Sequence, residues 1–294
     1  MKINIDTKLI TLIGKPLSQS FAARMQNTAY EAAGLNMLYY YTEADSTHLK
    51  EIIDGVRYMP AFGGCAVTKP NKVKVLQYLD ELDPLCAKMG ACNTVVKQAD
   101  GSLKGYNTDG EGFYLSLVEE TDFEVPGAEC FCIGAGGAGR AICFALADKG
   151  AKKLYIAASR YENALKLAED INSGFGDIAE AAVPGDYSKV CECGLVINAS
   201  GVGMGASVGN SPIPAEYLQS DQLCFDACYN PAKTQFLLDA EAKGCRILNG
   251  LGMSLYQGVA QIKLWSGEEA PVEAMREELN RIVQEKIVES EGKA

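Results

Sequence analysis

Short apolar runs alternate with stretches whose apolar residues recur every three or four positions, and this continues along nearly the whole chain. Early on, the pattern predicts strands over residues 9–13 and 37–41 and a helix over 21–33 that Gly34 ends. A second helix over 48–56 takes Ser46 or Thr47 as its N-cap. A short strand over 65–67 leads to Pro70, which sets the first turn of a helix running to about residue 79. Residues 92–96 and 103–106 flank Ala99, Asp100 and Gly101, the arrangement of a hairpin. Further on, strands are expected over 131–133, 153–158, 195–199, 224–226 and 246–248, with a helix over 161–171 after the second of them. Such alternation is that of a parallel sheet. A last helix over 272–287 leaves a frayed tail from 289 on.

One junction carries chemistry of its own. Gly134-Ala135-Gly136-Gly137-Ala138-Gly139 lies between the apolar run Phe131-Cys132-Ile133 and the helical stretch that begins at Arg140. A strand, a tight glycine turn and a helix start together let backbone N–H groups and the helix dipole approach a pyrophosphate without side-chain obstruction. The expectation is a Rossmann-type, doubly wound dinucleotide-binding domain over 110–252. A second α/β domain then spans 1–109 and is completed by C-terminal helices over 253–294.

Length and composition agree. The 294 residues are ample for two domains, and 48% hydrophobic content supplies a core for each. A secretory leader and a bilayer-spanning run are both missing from the pattern, which makes the cytoplasm the expected address. A net charge of −11 argues against a nucleic-acid partner. The eleven cysteines form an odd set whose close pairs, Cys130/Cys132 and Cys191/Cys193, lack zinc spacing, so buried reduced thiols are expected and no metal site. The single histidine, His48, sits in a polar stretch and reads as a surface residue, which leaves proton transfer to other groups.

Polar residues gather where strands should end. The segments are 14–20, with Lys15, Ser18 and Ser20; 67–72, with Thr68, Lys69 and Lys72; 90–94, with Asn93; and 105–110, with Asn107, Thr108 and Asp109. Ligands of open α/β sheets bind beyond the carboxyl ends of strands, so these loops suit one polar substrate. Hydroxyls and amides match carboxylate and hydroxyl oxygens, and a lysine with an aspartate can move a proton to an oxygen gaining charge.

These segments resemble those of the shikimate dehydrogenase family, including its quinate/shikimate branch. The resemblance runs through Ser18-x-Ser20, Val67-Thr68-x-Pro70-x-Lys72, Ala91-x-Asn93-Thr94 and Gly105-x-Asn107-Thr108-Asp109-Gly110. It continues with the glycine turn, Asn198-Ala199-Ser200-x-x-Gly203-Met204, Tyr229-x-Pro231-x-x-Thr234 and Gly250-x-Gly252-Met253 up to Gln257. It implies a reversible, NADP-linked reduction of 3-dehydroshikimate to shikimate, on the way to chorismate and the aromatic amino acids, with Lys72 and Asp109 as the proton-transfer pair. Ser18, Ser20, Thr68, Asn93, Tyr229 and Gln257, with Tyr39 assisting, would hold the substrate. Gly134, Ala135, Gly136, Gly137, Ala138, Ser159, Arg160, Ser200, Ala227 and Gly250 would hold the cofactor, and a homodimer is the expected assembly.

Several residues have a plainer reading beside this one. Lys69 competes with Lys72, Asp109 can cap the helix that follows it, Ser20 can cap its helix, and Tyr39 can be a core aromatic. Arg160 favours a 2′-phosphate and hence NADP, whereas Glu162 favours a free ribose hydroxyl and NAD. The family usually has His, Pro and Asn where this chain has Leu17, Phe21 and Ala66. Those departures adjoin the substrate segments, and they keep open a quinate/shikimate dehydrogenase using NAD. A reading of another class is a non-catalytic dinucleotide-binding module, against which the presence of both Lys72 and Asp109 argues.

Overall fold

A computed structural model describes residues 3–18 and 20–291, with side chains described as far as Glu285. The chain forms two units, Met1–Thr108 with Leu255–Ala294, and Asp109–Ser254.

The first unit contains β1 (Lys8–Gly14), α1 (Ala22–Ala32), β2 (Met37–Glu43), α2 (Leu49–Tyr58), β3 (Phe62–Val67), β4 (Glu81–Leu82), α3 (Pro84–Met89), β5 (Thr94–Lys97) and β6 (Leu103–Tyr106). Its sheet has the order β2-β1-β3-β5-β6-β4, with β1 parallel to β2 and β3 and with β5 antiparallel to β3 and β6. In α2, Leu49, Ile53 and Val56 are buried on one stripe and meet Ile13, Cys65, Val67 and Val95 of the sheet in one core. Asp83 caps α3 by accepting from the N–H groups of Leu85 (3.0 Å) and Cys86 (3.4 Å), Pro84 occupies the first turn, and Gly90 ends the helix at φ 65°.

The second unit begins within α4 (Thr108–Glu120) and continues with β7 (Glu129–Ile133), α5 (Gly137–Asp148), β8 (Lys153–Ala157), α6 (Tyr161–Phe175), β9 (Ala179–Ala181), β10 (Leu195–Asn198), β11 (Leu223–Asp226), α7 (Gln235–Ala242) and β12 (Arg246–Asn249). All its strands are parallel, in the order β12-β11-β10-β7-β8-β9. Numbered from β7, that order is the doubly wound Rossmann arrangement, with its switch point between β7 and β10. Right-handed crossovers require helices that bury one stripe, and α6 does so with Ala164, Leu167, Ala168 and Ile171.

The chain returns to the first unit within α8 (Leu251–Ser266) and ends in α9 (Val272–Glu291). Trp265 donates its indole N–H to the Val95 carbonyl at 3.0 Å and packs on Tyr39, and Arg24 of α1 pairs with Glu278 of α9 at 2.7 Å.

Several expectations need correction. No α-helix follows Pro70: Asn71 N–H closes a turn on the Thr68 carbonyl at 2.9 Å, and 3-10 geometry over Lys74–Tyr78 takes the place of the expected helix. Pro70 lies within this turn, and its peptide with Lys69 is cis. The N-cap of α2 is His48 itself, without a side-chain cap bond, because Thr47 N–H is turned back onto Asp45. Ten cysteines are buried, but Cys191 is exposed on a 3-10 turn. Sequence patterning passed over β4, α3, β9 and α7, of which β9 has three residues and too short a pattern to read. The tail runs helical to Glu291, and residues 292–294 lie outside the described residues.

Candidate active site

In the first unit, the register lines up Glu43 with Gly14, Ile13 with Val67, Ala66 with Thr94 and Thr94 with Tyr106, so the polar segments leave the sheet at one edge. Backbone bonds tie them to one another. Thr68 N–H donates to the Ile13 carbonyl (2.9 Å), Lys15 N–H to Lys69 (3.0 Å), Val67 N–H to Asn93 (2.8 Å) and Cys92 N–H to Lys72 (2.8 Å). Lys72 is thus carried on a turn whose backbone is fixed to the start of β5, with its side chain half-buried. Lys69, on the other side of Pro70, is exposed.

Ser18 is exposed, and Ser20 is half-buried with its Oγ accepting from Ala22 N–H at 3.3 Å at the start of α1. Gln19 between them lies outside the described residues. Leu17 is buried, and its N–H donates to the Glu43 carboxylate at 2.9 Å, which anchors the serine loop to the end of β2.

Asn93 is 2% exposed. Its Oδ1 accepts from Thr108 N–H (2.8 Å) and the Thr94 hydroxyl (2.8 Å), and its Nδ2 donates to Gln257 Oε1 at 3.3 Å. Gln261 donates to Thr94 Oγ1 at 3.0 Å, so α8 contributes both glutamines to the same edge. Replacing Asn93 with alanine leaves buried donors unpaired, a cost of about 1–3 kcal/mol for each group lost. Trp265 is the one tryptophan of the chain and belongs to this unit, so its fluorescence should report an unfolding midpoint shifted to lower urea. An unchanged midpoint would count against this reading of the network.

Tyr39 is a correction. It pairs with Ile10 in the interior of the sheet, four residues before the end of β2 and thus roughly 13 Å from the loop edge. It is buried against Trp265, and burial pushes its hydroxyl well above the usual tyrosine range. The structure makes it a core aromatic.

In the second unit, one register row runs through Asn249, Asp226, Asn198, Ile133 and Ala157, and the remaining candidates follow these strand ends. Gly134 to Ala138 follow β7, Ser159 and Arg160 follow β8, Ser200 follows β10, Ala227 and Tyr229 follow β11, and Gly250 follows β12. Ser159, Arg160 and Ser200 are exposed. Tyr229 is half-buried, and burial raises its hydroxyl pKa, which keeps it a neutral donor. Asp109 is buried in the first turn of α4.

The glycine turn fits a dinucleotide. Gly134, at φ 122°, presses on the chain after β10: a Cβ there would lie 2.5 Å from the Ala199 carbonyl carbon. Gly136 caps α5 with no side-chain bond, no acidic residue follows in the first turn, and nothing lies within 4 Å of a Cβ built on Gly136 or Gly137. The helix therefore presents unobstructed N–H groups and positive dipole density to open space, as an anionic diphosphate requires. Beyond β8, Arg160 stands at the N-cap of α6 and Glu162 in its first turn, and both are exposed.

Several partners went unread in sequence. Glu43 and Gln261 gave no signal, since their partners are distant along the chain. Asn198 and Thr234 fall within segments that carry the resemblance, and Asp226 reads in sequence as the end of a strand. Among the described residues, no group of three His, Cys, Asp or Glu is placed to hold a metal, and no helix is long and apolar enough to cross a membrane.

Sheet order and strand-end loops together define an α/β protein with a Rossmann-type dinucleotide-binding unit. The shikimate dehydrogenase substrate binding domain matches residues 12–95, and the shikimate 5′-dehydrogenase C-terminal domain matches 250–279. The chain is 38% identical over 302 residues to the shikimate dehydrogenase (NADP(+)) of Moorella thermoacetica, covering 99% of this chain and 98% of the relative. Its fold is similar to that of shikimate 5-dehydrogenase from Listeria monocytogenes in complex with shikimate and NAD, at TM-score 0.89 and 36% identity over 94% of this chain and 98% of the other. Quinate dehydrogenase from Corynebacterium glutamicum in complex with NAD is also similar, at TM-score 0.86 and 30% identity over 94% and 99%. The chain belongs to the shikimate dehydrogenase family.

Proposed function

We propose that this protein is an NADP-dependent shikimate dehydrogenase that reversibly reduces 3-dehydroshikimate to shikimate. The observation that carries this reading is the row of polar strand-end loops in the first unit, found in a chain that belongs to this family over nearly its full length. Residues 1–109 and 253–294 form the substrate-binding half, and 110–252 the cofactor-binding half. NADPH, when bound, supplies the hydride. Lys72 donates the proton taken up by the carbonyl oxygen as that oxygen gains charge, and Asp109 works with it as the acid–base pair. Ser18, Ser20, Thr68, Asn93, Tyr229 and Gln257 orient the carboxylate and hydroxyls of the substrate, a neutral array that binds an anion through directed hydrogen bonds. Ten buried, unpaired thiols suit a reducing compartment, and we place the enzyme in the cytoplasm.

For the cofactor, Arg160 at the start of α6 pairs with the 2′-phosphate. Replacing it with alanine is expected to raise KM for NADPH by about tenfold, the worth of one charge-assisted pair, and to leave KM for NADH nearly unchanged. Equal effects on both would remove Arg160 from cofactor choice.

The reading is tested by following reduced-cofactor absorbance with shikimate or quinate, each with NADP or NAD, and comparing kcat/KM. Shikimate with NADP should lead. Leu17 and Ala66 beside the substrate loops favour one competitor, quinate with NAD, and its dominance would replace the present reading. Inactivity with all four pairs would leave a non-catalytic dinucleotide-binding module.

A further inference from the structure

Asp226 ends β11 and is 0% exposed. Its Oδ2 accepts from Asn198 Nδ2 (3.0 Å) and from the Thr234 hydroxyl (2.5 Å), and its Oδ1 accepts from Cys228 N–H (2.8 Å). Each donor governs a different stretch of the strand-end row. Asn198 Oδ1 in turn accepts from Ser200 N–H (3.1 Å) and the Ser200 hydroxyl (2.6 Å), which fixes the chain leaving β10. Thr234 caps α7 by accepting from Leu237 N–H, and Cys228 precedes Tyr229. The stretches so held are those that the neighbouring loops press upon. Gly134 lies against Ala199 and Ser200, and a Cβ on Gly250 would sit 2.2 Å from the Ala227 carbonyl oxygen. Burial pushes the Asp226 carboxyl up from the usual range, and the bonds from Thr234, Cys228 and Asn198 oppose that shift. A solvated asparagine or serine suffices to end an ordinary strand, so a buried acid with these donors has a more demanding task.

We propose that Asp226 is the positioning residue of the dinucleotide site: its carboxylate holds the loops after β10 and β11 at the spacing against the glycine turn that the cofactor needs. This rests on the cofactor reading above. Asp226 itself touches neither substrate nor cofactor in this role. An amide in its place turns one oxygen into an NH2 facing donors, and the loops must part to relieve the conflict.

The test is fluorescence titration of the protein with NADPH, read beside thermal unfolding. D226N should raise Kd by about tenfold or more, and Thr234→Val by a smaller factor, while Thr234→Ser, which keeps the hydroxyl, stays within about twofold of the parent. Val190→Ala, a cavity in the core of the same unit, is the control for lost stability alone and should leave Kd unchanged. A parent-like Kd in D226N or Thr234→Val overturns the proposal. So does a Val190→Ala variant that weakens binding as much as they do at equal loss of thermal stability. If D226N does not fold, the Thr234 pair decides. A parent protein that fails to bind NADPH refutes the cofactor reading, and the proposal with it.

Discussion

Replacing Lys72 with alanine is expected to lower kcat by a factor of about 10²–10⁴, the range that a positioned general acid contributes, with KM for shikimate changed far less. The asymmetry follows from what the side chain is asked to do. The substrate oxygen carries little charge before hydride transfer and much after it, so an ammonium group there stabilises the transition state more than the bound ground state. Truncation leaves in place the backbone bond from Cys92 N–H that fixes the turn, and thermal unfolding beside the kinetics separates a lost proton donor from a lost fold. Lys69 is the internal control. It is exposed beyond Pro70, and Lys69→Ala should leave kcat within about twofold of the parent, as surface substitutions away from the chemistry do. Steady-state kinetics on both variants decide the matter: a large loss at residue 69 and a small one at 72 would exchange their roles.

A second large effect is expected at Gly139. A Cβ there would stand 1.8 Å from the Gly134 carbonyl oxygen, a collision with backbone that no rotamer relieves. Gly139→Ala must push α5 away from the turn that precedes it, which misplaces the helix N-terminus. The expected outcome is loss of NADPH binding by more than about a hundredfold, together with destabilisation beyond the ~1–3 kcal/mol of ordinary overpacking. Gly136→Ala makes the contrast, since nothing lies within 4 Å of its Cβ. That variant should keep the parent's unfolding midpoint and still bind NADPH more weakly, because its methyl projects into space the diphosphate is to fill. Calorimetric titration with thermal unfolding separates the two cases. Parent-like affinity in both would remove the turn from the binding site.

The difference between these glycines was not legible in sequence, although the motif was. Strand-turn-helix order and the glycine spacing located the turn between β7 and α5, since both are local properties of consecutive residues. Local signals also found the strands of the second unit apart from β9. The helix after Pro70 failed because the residues are permissive toward helix while the turn is set by tertiary bonds, from Cys92 to Lys72 and from Lys15 to Lys69. Tyr39 enters the candidate set only through the family resemblance, and its place in the middle of β2 puts it in the core, the plainer of its two readings. Gln261 and Asp226 escaped because their meaning lies in partners 167 and 28 residues away, Thr94 and Asn198. Hydrogen-bond partners of that kind follow from topology, which a single sequence does not state.

Because α8 and α9 return to the first unit, the order of events on the ribosome is inverted. Every strand of the second unit has been translated before residue 255 is added, so that half can fold while its companion still lacks two helices. Until then Val95 lacks its indole partner, and Thr94 and Asn93 lack their glutamines. The half made first is therefore the half finished last, and its apolar sheet awaits cover during the interval when nascent chains are most prone to aggregate.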